Sequence, residues 1–231
     1  MLWQNTSQDK KMRVKICGIK KIENALCAVY NGVDAIGFVF YEKSPRFISS
    51  EESKQIIKQL PAFVNKVGVF VNQTLEEIID IIETTGIDTV QLHGSEQNYN
   101  IDFVEKLASK INLPIIYSIR IKSISDEIFY DKFFKEIQGL VGNILFDRLD
   151  NTELGGTGKV IFFDKEKPLD KNFMEFISKK VIIAGGINKS NVKEIINFYK
   201  PYGIDVSSGV EKEKGVKDNN LIQEFLSLLK K

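Results

Sequence analysis

Short apolar runs alternate along the chain with stretches whose apolar positions recur every three or four residues, and glycine, proline or a capping polar residue marks each change of period. The clearest runs are Val181 to Ala184, stopped by Gly185-Gly186-Ile187-Asn188, and Gly203 to Val206, followed by Ser207-Ser208-Gly209-Val210. Both read as buried parallel strands that end in small residues. Asn188 is suited to cap the next helix, and the exposed backbone N–H groups make an anion site. Working forward from the N-terminus, further strands are predicted at Val14 to Cys17, Asp34 to Phe40, Lys66 to Val71, Thr89 to Leu92, Pro114 to Ile119 and Asn143 to Phe146.

Between them the period lengthens. Helices are predicted from Ile22 to Val29, from a Ser49 or Ser50 cap to Leu60, and from a Thr74 cap with Glu77 completing a capping box to the Gly86 stop. Others follow at Asn98 to Lys110, Ser123 to Gln138, Ser190 to Tyr199 and Asn219 to Leu229. The polar loop from Leu149 to Lys159 carries Gly155-Gly156-Thr157-Gly158 and leads into an irregular stretch in which Phe162, Phe163, Phe173 and Phe176 must be buried. Eight strands alternating with eight helical or partly helical connections imply right-handed crossovers and a parallel sheet that closes, a (β/α)8 TIM barrel in one domain over residues 13–231. An open doubly wound sheet is the alternative. Its GxGxxG turn is missing after the first strand, where Cys17-Gly18-Ile19-Lys20 stands instead.

Composition narrows the partners more than the fold. With 32 Lys and Arg against 31 Asp and Glu, no bulk field draws in nucleic acid or an anionic membrane, and any anion specificity must be local. Two cysteines without CxxC spacing and a single histidine give neither a disulfide framework nor a zinc set, which suits a cytoplasmic protein without a bound metal. No apolar span reaches the roughly 20 residues of a membrane helix. Residues 1–12 lack a signal-peptide core and read as a flexible tail, with Met12 an alternative start.

In a closed barrel the strand ends share one rim, so residues far apart in sequence become candidates for one site. Cys17 ends the first strand: it is either core or a thiol that nearby positive charge, by lowering its pKa, turns into a base. Lys15 lies two residues earlier on the same face, where a lysine needs a facing charge. Arg46, stiffened by Pro45, offers a guanidinium fork to a carboxylate or phosphate, or else a surface ion pair. His93 ends the fourth strand as a site residue or a turn residue. Asp147 follows an apolar run, where partial burial would raise its pKa toward that of a general acid; a cap or a partner for Arg148 is the plain alternative.

Together, Val14-Lys15-Ile16-Cys17-Gly18, Gly37-Phe38-Val39-Phe40 with Ser44-Pro45-Arg46, Val67 to Asn72, Gln91-Leu92-His93-Gly94, the strand into Asp147, Gly155 to Gly158, Ala184-Gly185-Gly186 and Asp205 to Glu211 resemble the phosphoribosylanthranilate isomerase family. The resemblance runs from about Val14 to the last helix. It implies an Amadori rearrangement of N-(5-phosphoribosyl)anthranilate in tryptophan biosynthesis, with Asp147 as acid and Cys17 as base. Arg46 would hold the anthranilate carboxylate, and Gly185, Gly186, Ser208 and Gly209 the phosphate. Lys15, His93 and Gly156 complete the expected substrate-binding set. The family's Phe-Asp-Trp is altered here to Phe163-Asp164-Lys165. No cofactor is implied, the partner is a small phosphorylated molecule, and the chain is expected to work as a monomer or homodimer. A sugar-phosphate epimerase, the α subunit of tryptophan synthase, or a non-catalytic phosphometabolite sensor are the competing readings, and the pairing of Cys17 with Asp147 argues against the last.

Overall fold

A computed structural model describes residues 12–95, 97–121, 131–148 and 169–229. Eight parallel strands close into a barrel in sequence order: β1 (Arg13–Cys17), β2 (Ala35–Val39), β3 (Asn65–Phe70), β4 (Thr89–Leu92), β5 (Ile115–Ile121), β6 (Asn143–Arg148), β7 (Val181–Ile183) and β8 (Gly203–Val206). Around them lie α1 (Ile22–Tyr30), α2 (Ser50–Ile57), α3 (Leu75–Thr85), α4 (Ile101–Lys110), α5 (Lys132–Leu140), α6 (Lys171–Lys180), α7 (Val192–Tyr199) and α8 (Asn219–Ser227). The TIM barrel expected from strict alternation is therefore present. One element had no counterpart in the sequence reading: after β8 a short 3-10 turn, Ser208–Val210, leads into a two-stranded hairpin, β9 (Glu211–Glu213) and β10 (Val216–Lys217).

Local chemistry explains the boundaries. Ser49 and Thr74 each accept a backbone N–H three residues on, from Glu52 and Glu77, whose carboxylates return to the cap's own N–H. Gly86 ends α3 in the left-handed conformation. Two expectations need correction. The helix predicted from Ser123 to Gln138 begins, within the described residues, at Lys132, where the Asp131 carboxylate accepts the Phe134 N–H, and it continues to Leu140; residues 123–130 lie outside the described set. The stretch expected to be irregular contains α6, started by Asp170 capping the Asn172 and Phe173 N–H groups. Its Phe173 is buried, and Phe176 meets Phe134 edge-on at 5.4 Å. Phe162, Phe163 and the Leu149 to Lys159 loop are outside the described residues, as is the N-terminal tail apart from Met12.

Alternation along the strands divides the side chains between two cores. Val14, Ile16, Ile36, Phe38, Phe70, Leu92, Phe146, Ile183 and Ile204 belong to the main cluster beneath the helices. Val67, Ile116, Leu145, Ile182 and Ala184 form a separate layer inside the barrel, and Cys17, Val39 and Val69 another. The barrel interior also holds polar groups: Lys15, Gln91, Ser118 and Asp205 are all buried. Thr74→Ala removes one half of the α3 capping box and should lower stability by about 1 kcal/mol in urea unfolding, leaving the barrel assembled.

Candidate active site

The register of barrel closure sets the centre of the rim. β1 pairs with β8 so that Lys15 lies opposite Asp205, and their side chains form an ion pair of 2.8 Å with both groups buried. The facing charge that an inward lysine requires is thus supplied by the eighth strand, and Lys15 binds a group of the protein rather than standing open to a ligand. Burial alone would depress the Lys15 ammonium. Asp205, with help from Cys17, outweighs it and holds lysine above its ordinary value. Lys15 and Cys17 both lean over Gly37, where a Cβ would come within 3.0 Å of Cys17 Sγ and of Lys15 Cε.

Cys17 is only 8% exposed. The sequence left it open between core and a thiol activated by positive charge, and here burial raises its pKa most, Asp205 adds to the rise, and Lys15 and Lys217 oppose it. A thiolate is disfavoured by desolvation more than two nearby cations favour it. Cys27, partly buried on α1, packs against the main core.

Arg46 stands beside this centre. Its Nε and Nη2 donate to Glu211 Oε1 and Oε2 at 2.7 and 2.8 Å, a bidentate fork on a carboxylate that the hairpin supplies. That fork uses the Nε and one Nη2 N–H and leaves the second Nη2 N–H and the Nη1 group turned away from Glu211, and the Arg46 side chain is 24% exposed. Glu211 also accepts from Lys217 Nζ at 2.6 Å and the Gly215 N–H at 3.1 Å. Burial pushes this carboxyl up, but Arg46, Lys217 and Gly215 more than reverse it and bring it down to about 2. Lys217 in turn donates to the Ser207 carbonyl and hydroxyl, and Ser207 Oγ donates to the Cys17 carbonyl at 3.0 Å. Burial lowers the Lys217 ammonium more than Glu211 raises it.

Across the rim, β6 carries Asp147 with its carboxylate 23% exposed, and Oδ2 is 3.2 Å from His93 Nε2 at the end of β4. His93 thus faces the acid candidate directly. The ring also lines a cleft of about 320 Å³ with Asn72, Ser118 and Arg120. Gly185 makes room for Asp147: its φ is +85°, and a Cβ there would lie 2.5 Å from Arg148 Cβ and 2.9 Å from Asp147 Oδ1.

The two glycine turns meet as expected. A Cβ on Gly209 would fall 2.1 Å from the Ile187 carbonyl oxygen, so the turn after β8 lies directly on the turn after β7. Among the described residues, none of the backbone N–H groups of Gly185, Gly186, Ser208 and Gly209 meets an acceptor. Asn188 does not cap α7. It accepts the N–H and hydroxyl of Ser190 in a turn of its own, and α7 begins only after Asn191, whose side chain instead ties the Gly186 carbonyl at 2.9 Å to the Asn188 N–H at 2.9 Å. Gly156 and the rest of the Gly155 to Gly158 run lie outside the described residues.

The structure thus gathers Cys17, Arg46, His93, Asp147, Gly185, Gly186, Ser208 and Gly209 on one rim, with Lys15 just beneath it. Sequence reasoning used Asp205 and Glu211 only as the ends of a motif and gave a role neither to them nor to Lys217. The available signal was charge: three ionisable residues in or directly after a strand whose inner positions are buried. Because the folded pKa of Glu211 lies below its unfolded value near ~4.3, its contribution to stability should be complete above that value and be lost as pH falls toward about 2. Urea unfolding between pH 6 and 2.5 should accordingly show a shallower acid limb for Glu211→Gln than for the parent chain.

Residues 14–227 match the family model of N-(5'-phosphoribosyl)anthranilate (PRA) isomerase. The N-(5'-phosphoribosyl)anthranilate isomerase of Thermotoga neapolitana is 40% identical over 222 residues, covering 95% of this chain and 98% of its own. The crystal structure of the Thermotoga maritima enzyme superposes with a TM-score of 0.74 at 35% identity, covering 94% of this chain and 97% of that one. A phosphoribosyl anthranilate isomerase solved in complex with reduced 1-(o-carboxyphenylamino)-1-deoxyribulose 5-phosphate superposes at 0.71 with 34% identity over the same shares. Matched along nearly its whole length by the family model and by a relative 40% identical to it, the chain belongs to the N-(5'-phosphoribosyl)anthranilate isomerase family.

Proposed function

We propose that the rim residues divide the Amadori rearrangement of N-(5'-phosphoribosyl)anthranilate among themselves as their positions suggest. Asp147 gives its proton to the ribose ring oxygen; the C1–O bond breaks, and the anilino nitrogen supplies the electron pair of the resulting Schiff base. Cys17, as thiolate, takes the C2′ proton, and the enolamine so formed tautomerises to the ketone of 1-(2-carboxyphenylamino)-1-deoxyribulose 5-phosphate. His93, bonded to Asp147, orients the carboxyl group. The phosphate rests on the N–H groups of Gly185, Gly186, Ser208 and Gly209, and the free end of the Arg46 fork takes the anthranilate carboxylate. Lys15 and Lys217 act on Cys17 from below and beside it, favouring the thiolate against burial.

The observation that carries this division is the adjacency of Asp147 to Gly185. The acid sits against a turn suited to grip phosphate, so a substrate held by its phosphate presents the ribose to Asp147, with Cys17 across the barrel mouth. We further propose that residues 13–231 form the catalytic barrel, that it works in the cytoplasm on a small phosphorylated molecule as a monomer or homodimer, and that the reaction serves tryptophan biosynthesis. Among the described residues no helix is long and apolar enough to cross a membrane.

Asp147→Asn should leave the fold intact and lower turnover at least ~100-fold, the scale of losing a general acid, and Cys17→Ser should cripple the reaction as well. The measurement is the fluorescence decay of freshly made phosphoribosylanthranilate above its spontaneous rate; near-normal turnover in Asp147→Asn would remove it from the acid role. Gly185→Ala should also lower turnover, because its methyl group displaces the Asp147 carboxylate, while binding of inorganic phosphate weakens in parallel.

A further inference from the structure

We infer that Glu211 is a positioning residue for the isomerisation: one buried carboxylate on the hairpin after β8 aims the Arg46 fork and, through Lys217 and Ser207, seats the strand end that carries Cys17. The inference rests on the roles proposed above for Arg46 and Cys17.

The Glu211 side chain is 4% exposed and receives four donors from three directions: Arg46 Nε and Nη2, Lys217 Nζ and the Gly215 N–H. Both of its oxygens are therefore committed, and a carboxylate held on both sides has one orientation. Packing enforces the same geometry. The stem of Arg46 lies over Gly18, the residue after Cys17, where a Cβ would fall 2.6 Å from Arg46 Cδ. The turn of the hairpin presses on the loop before Arg46: Gly215 has φ +83°, and a Cβ there would stand 2.3 Å from the Pro45 carbonyl oxygen. Neither glycine leaves space for a side chain, so the hairpin, the Pro45 loop and the start of the first βα turn fit together as one unit.

The charge count explains what the unit is for. Arg46 and Lys217 are cations and Glu211 an anion, which leaves one net positive charge beside the thiol. Without the carboxylate, two cations would repel each other and Arg46 would be free to swing toward solvent. With it, the Nη1 end of the fork has a fixed direction and remains available for a ligand carboxylate. The second arm of the network ends on the protein backbone: Lys217 grips Ser207, and the Ser207 hydroxyl grips the Cys17 carbonyl. The groups that bear on the thiol are Lys15 from its own strand, Asp205 from β8 and Lys217 from the hairpin.

The test compares the full-length chain with Glu211→Gln, Arg46→Lys and the double variant. An amide can accept at only one of its two ends, so Glu211→Gln should raise KM for phosphoribosylanthranilate roughly tenfold and lower kcat several-fold, the scale of losing one or two charge-assisted hydrogen bonds. Since Glu211 acts through Arg46, the double variant should show a KM close to that of Arg46→Lys alone. An unchanged KM in Glu211→Gln, or single-variant effects that multiply independently, overturns the inference. A readout that does not depend on turnover is the side-chain Nε–H resonance of Arg46 in 15N NMR, expected to exchange slowly with solvent in the parent chain and rapidly in Glu211→Gln. If the parent chain consumes no phosphoribosylanthranilate, the proposed roles fail, and this resonance still decides whether Glu211 holds Arg46: rapid exchange in the parent chain overturns that as well. Should Glu211→Gln not fold, Glu211→Asp, which retains the charge on a shorter arm, is expected to give an intermediate KM and exchange rate, and parental values would overturn the inference.

Discussion

Closure of β1 onto β8 is the constraint on which the site depends, because the register of that one pairing sets Lys15 opposite Asp205 inside the barrel. Two charges taken from water require each other, and removing either leaves the other uncompensated in a medium that solvates it poorly. Their 2.8 Å contact therefore ties the first strand to the last by more than backbone hydrogen bonds. The same register brings the end of β1 beside Ser207, so Cys17 is held by its own backbone as well as by its neighbours.

Around that seam the rim is built as opposing pushes on one thiol. Burial and Asp205 favour the neutral form of Cys17; Lys15 and Lys217 favour the thiolate. Burial prevails in that balance, and the thiol is held above its ordinary value. Asp147 on the opposite side is treated differently. It is partly open to solvent, 3.2 Å from His93, and given space by a glycine that no other residue replaces without collision. Asp147 and Cys17 thus stand in different environments, one partly open and one buried.

Much of this was legible in the residues. Thr74 with Glu77 and the glycine ending α3 mark their helix boundaries through interactions that span only a few positions, and these were found where expected. The double-glycine turn after β7 and the small residues after β8 carry their meaning locally too, since only residues without bulk allow two backbones to approach so closely. The hairpin of β9 and β10 was missed because its strands are two and three residues long and their polar sequence shows no alternation. The helix predicted from Ser123 to Gln138 does not run unbroken through Asp131, whose extended backbone and capping carboxylate start α5 at Lys132; aromatic residues blur the 3.6-residue period there, and the cap is a single aspartate. Asn188 was read as a cap because its residue type allows it, whereas the chain uses it to close a turn with Ser190, ahead of α7.

The amino-acid sequence by itself determined the alternation of strand and helix, hence a closed parallel barrel, and the residue types that could gather at one rim; its ordered motifs also pointed to the family. Periodicity and capping are local, so they survive without any knowledge of what packs against what. Only the tertiary structure decided the partners: that Lys15 answers to Asp205, that His93 faces Asp147, and that the Arg46 fork closes on Glu211. It also decided the direction of the Cys17 shift, because a thiol's pKa depends on how much water the fold removes as well as on the charges nearby. These pairs join residues from separate strands and loops, as far as 190 positions apart for Lys15 and Asp205. Their energies depend on distances and burial that no linear pattern contains.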